Sequence, residues 1–217
     1  MTSDQTLADY YARRAEEYES IYAKPERQVE LEKLRKHLRS RFAGEKVLEV
    51  ACGTGYWTEV ISQSAKSVVA LDINDEVLEV ARRKSFSDVK PHFEIADAYR
   101  LPKSRGEFTG GLSAFWWSHV PKARLNQFLA GFHESVGSCS KITFVDNRYV
   151  EGSSTVISRI DASGDTFQMR KLKDGSLHEV LKNFPTREEL INAVSADAVE
   201  ISVNLLEYYW LLEYRLK

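Results

Sequence analysis

A chain of 217 residues with 43% apolar side chains can bury one sizeable core, and its 29% of charged residues is typical of a soluble surface. A formal net charge of −2 and a pI near 6.2 exclude a global basic field that would gather nucleic acid or anionic membrane. Two cysteines, Cys52 and Cys139, make no disulfide framework, and no stretch reads as a secretory signal or a membrane span, so the expectation is a cytoplasmic protein, a monomer or a homodimer. His37, His92, His119, His133 and His178 are scattered without a pair at ligand spacing, so no metal is expected.

Residues 4–22 are charged, rich in tyrosine and free of breakers, which predicts a helix. Pro25 punctuates, and Leu31, Leu34, Leu38 and Phe42 then recur at helical steps until Gly44, giving residues 1–43 the character of a helical cap. From 44 to 147 strand and helix alternate. A buried strand at 46–51 runs into a glycine loop and a helix carrying Trp57, Val60 and Ile61. A second strand at 67–72 precedes a helix capped by Asn74, with Val77, Leu78 and Ala81 inward. A weaker strand at 92–96 and one at 108–116, interrupted by Gly110 and Gly111, lead to a helix at 121–136 and a fifth strand at 141–145. This alternation predicts a mostly parallel sheet with helices on both faces. The next stretch, 148–185, alternates about Asp174–Gly175, a strong hairpin signal, and reads as an insertion. Thr186 with Glu189 is a capping box opening another helix, and the runs at 198–208 and 209–216 have no room for a crossover between them. They must pair antiparallel and finish the main sheet within 186–217.

Function is concentrated in "VLEVACGTGYWT", residues 47–58. Glycines leaving a parallel strand let a ligand reach bare main chain, and Asp72 ends the next strand near the offset at which an acid meets ribose hydroxyls. Gly53, Gly55 and Asp72 together point to an adenosine-containing ligand. A dinucleotide fingerprint needs a small residue where Thr58 stands, and Glu49 would repel a pyrophosphate but attract an ammonium. Adenosine at one end and an ammonium at the other describe S-adenosylmethionine.

"VLEVACGTG" resembles the first motif of class I S-adenosylmethionine-dependent methyltransferases, "VVALDIN" the second, "ADAYRLP" the third, and "FTGGLSAFWWSHVP" the fourth strand and the turn bordering the methyl group. The resemblance implies a Rossmann-like α/β fold: a seven-stranded, mostly parallel sheet with an antiparallel last strand, all in a single domain, 1–217. It also implies that Glu49, Ala51, Gly53 and Gly55 cradle the cofactor, Asp72 holds the ribose, Ile73 packs on adenine, Asp97 faces the adenine amino group beside Ala98, and Ala114 borders the methyl. Tyr11 and Tyr18 would close as a lid, as similar enzymes use this segment. Ala51 stands where the family more often has glycine, and Thr109 where it often has an acid.

Methyl transfer from a sulfonium is an in-line displacement that needs alignment, exclusion of water and, for some acceptors, a base. Trp116 and Trp117 are candidates to line the substrate cavity, since aromatic faces attract cations; adjacent residues of a strand point to opposite faces, so at least one should leave the core. With Trp117, His119 is a catalytic candidate, as the proton acceptor; the alternative is a histidine bonded to backbone near a helix start. Arg148 and Tyr149, after the fifth strand, are candidates for an acidic group on the substrate or are ordinary loop residues. The expected activity is methylation of a small molecule, leaving S-adenosylhomocysteine. The alternatives are an RNA or protein methyltransferase using a basic face around 170–173, Lys182 and Arg187, and a non-catalytic cofactor-binding partner subunit.

Overall fold

The structure, a computed structural model, describes residues 10–12, 14–103 and 108–217, with the side chains of 15–18 outside that description. Tyr10–Ala12 and Arg14 are helical, but Ala15–Ala23 and Pro25–Arg27 wind as 3-10 helix rather than continuing the α-helix expected over 4–22. The tighter winding aligns positions three apart. Glu19 and Tyr22 therefore face one side of the segment: Glu19 accepts from Thr54 Oγ1 at 2.9 Å and Lys84 Nζ at 2.6 Å, while the Tyr22 ring stacks on Tyr56 at 3.9 Å. These tertiary anchors override the local preference.

Helix α1 (Gln28–Arg41) buries Leu31, Leu34 and Leu38 as its periodicity requires, with Phe42 sealing its end. The alternation then appears as β1 (Lys46–Val50), α2 (Tyr56–Ser62), β2 (Ser67–Asp72), α3 (Asp75–Arg83), β3 (His92–Ile95), β4 (Gly110–Ala114), α4 (Leu125–Val136) and β5 (Lys141–Asn147). Strands β6 (Ile157–Ile160), β7 (Thr166–Lys171) and β8 (Leu177–Leu181) follow, then α5 (Arg187–Val194), β9 (Ala198–Leu205) and β10 (Tyr209–Leu216). The capping box at Thr186 and Glu189 is formed in both directions.

The main sheet has seven strands in the order β3-β2-β1-β4-β5-β10-β9. Strands β1 to β5 are parallel, and β10 lies antiparallel between β5 and β9. One core layer gathers Leu34, Leu38, Trp57 and Ile61; the other gathers Phe128, Phe132, Phe144 and Trp210. Gly111 permits this second layer, because a Cβ there would meet Val136 and Ile142 side-chain atoms at 2.8 and 2.9 Å. What reads as a weak point in β4 is the place where α4 approaches the sheet. Of the two cysteines, Cys52 is packed in the core, whereas Cys139 is exposed.

A second, three-stranded sheet, β6-β7-β8, stands on the carboxyl side of β5. Its β7–β8 turn is the one expected at Asp174–Gly175: Gly175 N–H donates to Leu172 O at 3.0 Å, and Gly175 takes φ +87°. Strand β6 has no sequence signal, since its residues are mostly exposed and do not alternate.

Candidate active site

The chain leaves β1 through a run of left-handed residues, Ala51 at φ 58°, Gly53 at 55° and Gly55 at 75°. Gly53 N–H donates to Asp72 Oδ2 at 2.8 Å and Asn74 N–H to Asp72 Oδ1 at 3.0 Å, so one carboxylate ties the loop to the end of β2. Burial pushes the Asp72 carboxyl up, against the pull of those amides. A Cβ on Gly55 would lie 3.0 Å from the Ala81 Cβ, so this glycine serves the packing of the loop on α3.

Ala51, Gly53, Asp72, Ile73, Asp97, Ala98 and Ala114 line one cleft at the carboxyl ends of β1, β2 and β4. Ile73 keeps 49% of its surface exposed, an aliphatic platform at the cleft mouth. Tyr11, Trp116 and His119 complete the wall. These ten expected residues are thus brought together, and the side chain of Tyr18 lies outside the described residues.

Glu49 is not among them. Its carboxyl is buried under the loop, accepts from Thr58 Oγ1 at 2.6 Å, and is raised to about 8 by burial, with Asp72 adding to the rise and Thr58 opposing it. The expectation that it faces a ligand ammonium is corrected: Glu49 points at the first turn of α2. Gly55 also lies outside the cleft lining.

After β4 the backbone takes φ +63° at Phe115, a left-handed conformation unusual for a bulky residue and characteristic of functional turns. This fans the aromatics apart. Phe115 stacks with Trp57, Trp116 enters the cleft beside Tyr99, and Trp117 turns into the core between Phe144 and Trp210. One tryptophan leaves the core, as the strand argument requires, but Trp117 is not at the site, which removes it from the catalytic and substrate-binding roles.

His119 is 5% exposed. Its Nδ1–H donates to Leu181 O at 2.7 Å, and its Nε2 accepts from the Tyr11 hydroxyl at 2.7 Å. Burial first, then the nearby Lys182 charge, hold it well below its ordinary value and therefore neutral at neutral pH. It is at once the backbone-bonded histidine of the alternative reading and a wall of the cleft.

Beyond Tyr11, Phe115 and His119 the cleft continues into a second cavity of about 370 Å³. Arg14, Lys24 and Arg27 line it from the N-terminal segment, and Arg170, Lys171 and Lys182 from β7 and the end of β8. Lys182 Nζ is 3.1 Å from Asp146 Oδ1 and donates to Ser118 Oγ at 2.6 Å. Burial would raise the Asp146 carboxyl, but Lys182, His119 and the hydrogen bonds from Ser118 together hold it below its usual range. Arg148 and Tyr149 are elsewhere: the Arg148 guanidinium bonds the Leu206 carbonyl, and the Tyr149 ring packs on Phe184 at 5.4 Å. Of the basic residues that do converge, Arg170, Lys171 and Lys182 belong to the basic face noted in the sequence, whereas Arg14, Lys24 and Arg27 share no signal with them. Among the described residues, no group of three or more His, Cys, Asp or Glu is arranged to hold a metal ion.

Residues 47–137 match the methyltransferase domain family. The demethylmenaquinone methyltransferase of Clavibacter sepedonicus is 35% identical over 89 residues, 40% of this chain and 36% of that protein. The malonyl-(acyl-carrier protein) O-methyltransferase of Serratia marcescens is 27% identical over 122 residues, 55% of this chain and 46% of that protein. The match thus spans under half the length of these curated relatives. Among solved structures, the DhpI–SAM–HEP complex aligns with a TM-score of 0.80 at 26% identity, covering 97% of this chain and 96% of that one. The DhpI–SAH complex aligns with a TM-score of 0.79 at 26% identity, covering 98% and 96%. The PH0226 protein of Pyrococcus horikoshii OT3, 17% identical with a TM-score of 0.71 over 89% of this chain and 92% of that one, shares the fold.

Proposed function

We propose that this chain is a class I S-adenosylmethionine-dependent methyltransferase and that it methylates a small-molecule acceptor, on the premise of the methyltransferase-domain match over residues 47–137. The observation that carries the reading is the cleft itself: bare loop backbone, a carboxylate, an aliphatic platform and an acid–alanine pair lining one cleft at the strand ends. In this reading Asp72 accepts from the ribose hydroxyls, with lone pairs left beyond its two amide bonds. Ile73 and Ala98 flank the adenine, Asp97 takes its amino group, and the main chain at Ala51 and Gly53 receives the amino-acid end. When bound, S-adenosylmethionine supplies an electrophilic methyl on a sulfonium, with S-adenosylhomocysteine as the product.

The chain's own residues then have positioning work. The strand ends of the main sheet hold the cofactor, while Arg14, Lys24 and Arg27 of the N-terminal segment and Arg170, Lys171 and Lys182 of the insertion roof the second cavity, which opens at Tyr11, Phe115 and His119. Closure there excludes water and fixes the acceptor in line. A cavity of about 370 Å³ suits a metabolite rather than a polymer strand, which supports the small-acceptor reading over RNA or protein. None of the helices is long and apolar enough to cross a membrane among the described residues. The deciding experiment is calorimetric titration with S-adenosylhomocysteine, followed by incubation with labelled S-adenosylmethionine and a metabolite extract. Folded protein that binds neither nucleoside refutes the proposal.

A further inference from the structure

We propose that the acceptor is a polyanion, a phosphorus oxyacid or a di- or tricarboxylate, held by Lys24, Arg27, Arg170 and Lys171, and that the methyl group goes onto one of its ionised oxygens. This rests on the methyltransferase reading above and specifies the acceptor for the same site. The first ground is an unbalanced charge. Five cations besides Lys182 line the second cavity, and none of its lining residues among those described is an acid. Lys182 pairs with Asp146, which is buried behind the wall.

Lys24, Arg27 and Arg170 are held by neutral oxygens. Arg27, 6% exposed, donates from Nη1 to Asn147 Oδ1 at 3.0 Å and from Nη2 to Ser153 Oγ at 2.9 Å. Lys24 Nζ donates to the Ser153 carbonyl. Arg170 Nη2 donates to Gln168 Oε1 at 2.7 Å, while its buried Nε has no partner. The exposed Glu26 takes its hydrogen bond from Ser153 rather than from a cation. Burial, and after it the Arg27 charge, lower Lys24 against the opposing pull of Glu26, so the cations are close enough to disfavour one another. Side chains held together against their own repulsion by neutral acceptors form a site for an anion that arrives from outside. Several such cations match a ligand of charge −2 or more better than a monocarboxylate.

The second ground is that neither His119 nor Asp146 is available as a base. The lone pair of His119 Nε2 is taken by the Tyr11 hydroxyl, and Asp146 is saturated by Lys182, by Ser118 N–H at 2.9 Å and by Asn147 N–H at 2.7 Å. An oxyanion needs no base. An oxygen lone pair forms the new O–CH3 bond, the S–CH3 bond breaks with its electron pair going to sulfur, and the sulfonium and oxyanion charges cancel with no proton released. The cations screen the acceptor's remaining charge while it sits against the donor.

The test titrates inorganic phosphate, phenylphosphonate and citrate, with acetate and acetamide as low-charge and neutral controls, into the full chain saturated with S-adenosylhomocysteine. It is run for the natural protein and for Arg170→Gln with Lys171→Gln, half-buried and exposed positions whose loss leaves the core intact. The expected result is binding of the polyanions, weakened by salt and by the double variant about tenfold or more, with nucleoside affinity unchanged. Phosphate and phenylphosphonate without citrate point to a phosphorus oxyacid; citrate alone points to a carboxylate acceptor. A labelled methyl recovered as an ester on the anion completes the proof. Nucleoside binding with no polyanion binding at millimolar concentration, or equal binding by the double variant, overturns the proposal and leaves the methyltransferase reading standing. Failure to bind the nucleoside overturns both.

Discussion

Replacing Glu49 with glutamine swaps a buried carboxyl for an amide of the same shape, which can still accept from Thr58 Oγ1. The wild-type carboxyl is raised from an ordinary 4.5 to about 8, chiefly by burial. A carboxyl with a raised folded pKa binds its proton more tightly when folded, so its contribution is complete below the unfolded value and is lost as pH rises from 4.5 toward about 8. At 1.36 kcal/mol per pKa unit the wild type loses on the order of 3–5 kcal/mol across that window. Glutamine has no proton to release. Urea unfolding followed by fluorescence of the four tryptophans, from about pH 5 to about pH 9, isolates this group in the difference between variant and wild type. The variant should gain relative stability up to about pH 8 and then level off. A difference that stays flat over the window would mean that Glu49 is ionised in the folded protein, and the account of its burial would fail.

Gly55→Ala places a Cβ 3.0 Å from Ala81 at φ +75° and should cost about 2–4 kcal/mol in thermal unfolding, from left-handed strain and overpacking together. Gly44→Ala, at φ +73° with nothing within 4 Å, should cost only about 1 kcal/mol, and equal losses would refute the packing role of Gly55. Asp72→Ala orphans the amides of Gly53 and Asn74 and should lower stability by about 1–3 kcal/mol. Its affinity for S-adenosylhomocysteine should fall about tenfold or more in calorimetry, and an unchanged affinity would remove Asp72 from the ribose. His119→Gln should lower turnover by no more than about tenfold, evenly with pH, because the ring positions Tyr11; a loss of about 10²–10⁴ that tracks pH would restore the base role.

Much of the molecule is legible in local pattern. Helical steps mark α1, buried apolar runs mark β1 and β2, and the missing crossover makes β9 and β10 antiparallel; each is a property of neighbours in the chain. The cleft wall is equally local, because Ala51, Gly53, Asp72, Asp97 and Ala114 all end parallel strands or follow them directly, and parallel strands end on one edge. The directions of Glu49 and Trp117 are not local. A carboxyl at a strand end can face the ligand or the underlying helix, and only the packing of Thr58 decides it; the path of Trp117 follows from a backbone reversal at Phe115.

The basic cavity beside the cleft was beyond any reading of one segment. Lys24 and Arg27 lie more than a hundred positions from Arg170, Lys171 and Lys182, and each taken alone looks like an ordinary solvated cation. The sequence by itself determined the sheet, its edge and the residues along it, because those follow from periodicity and from what each side chain and backbone tolerates. Only the tertiary structure decided which charges share a cavity, because electrostatic attraction for a ligand depends on distances in space that the folded cap and insertion alone create.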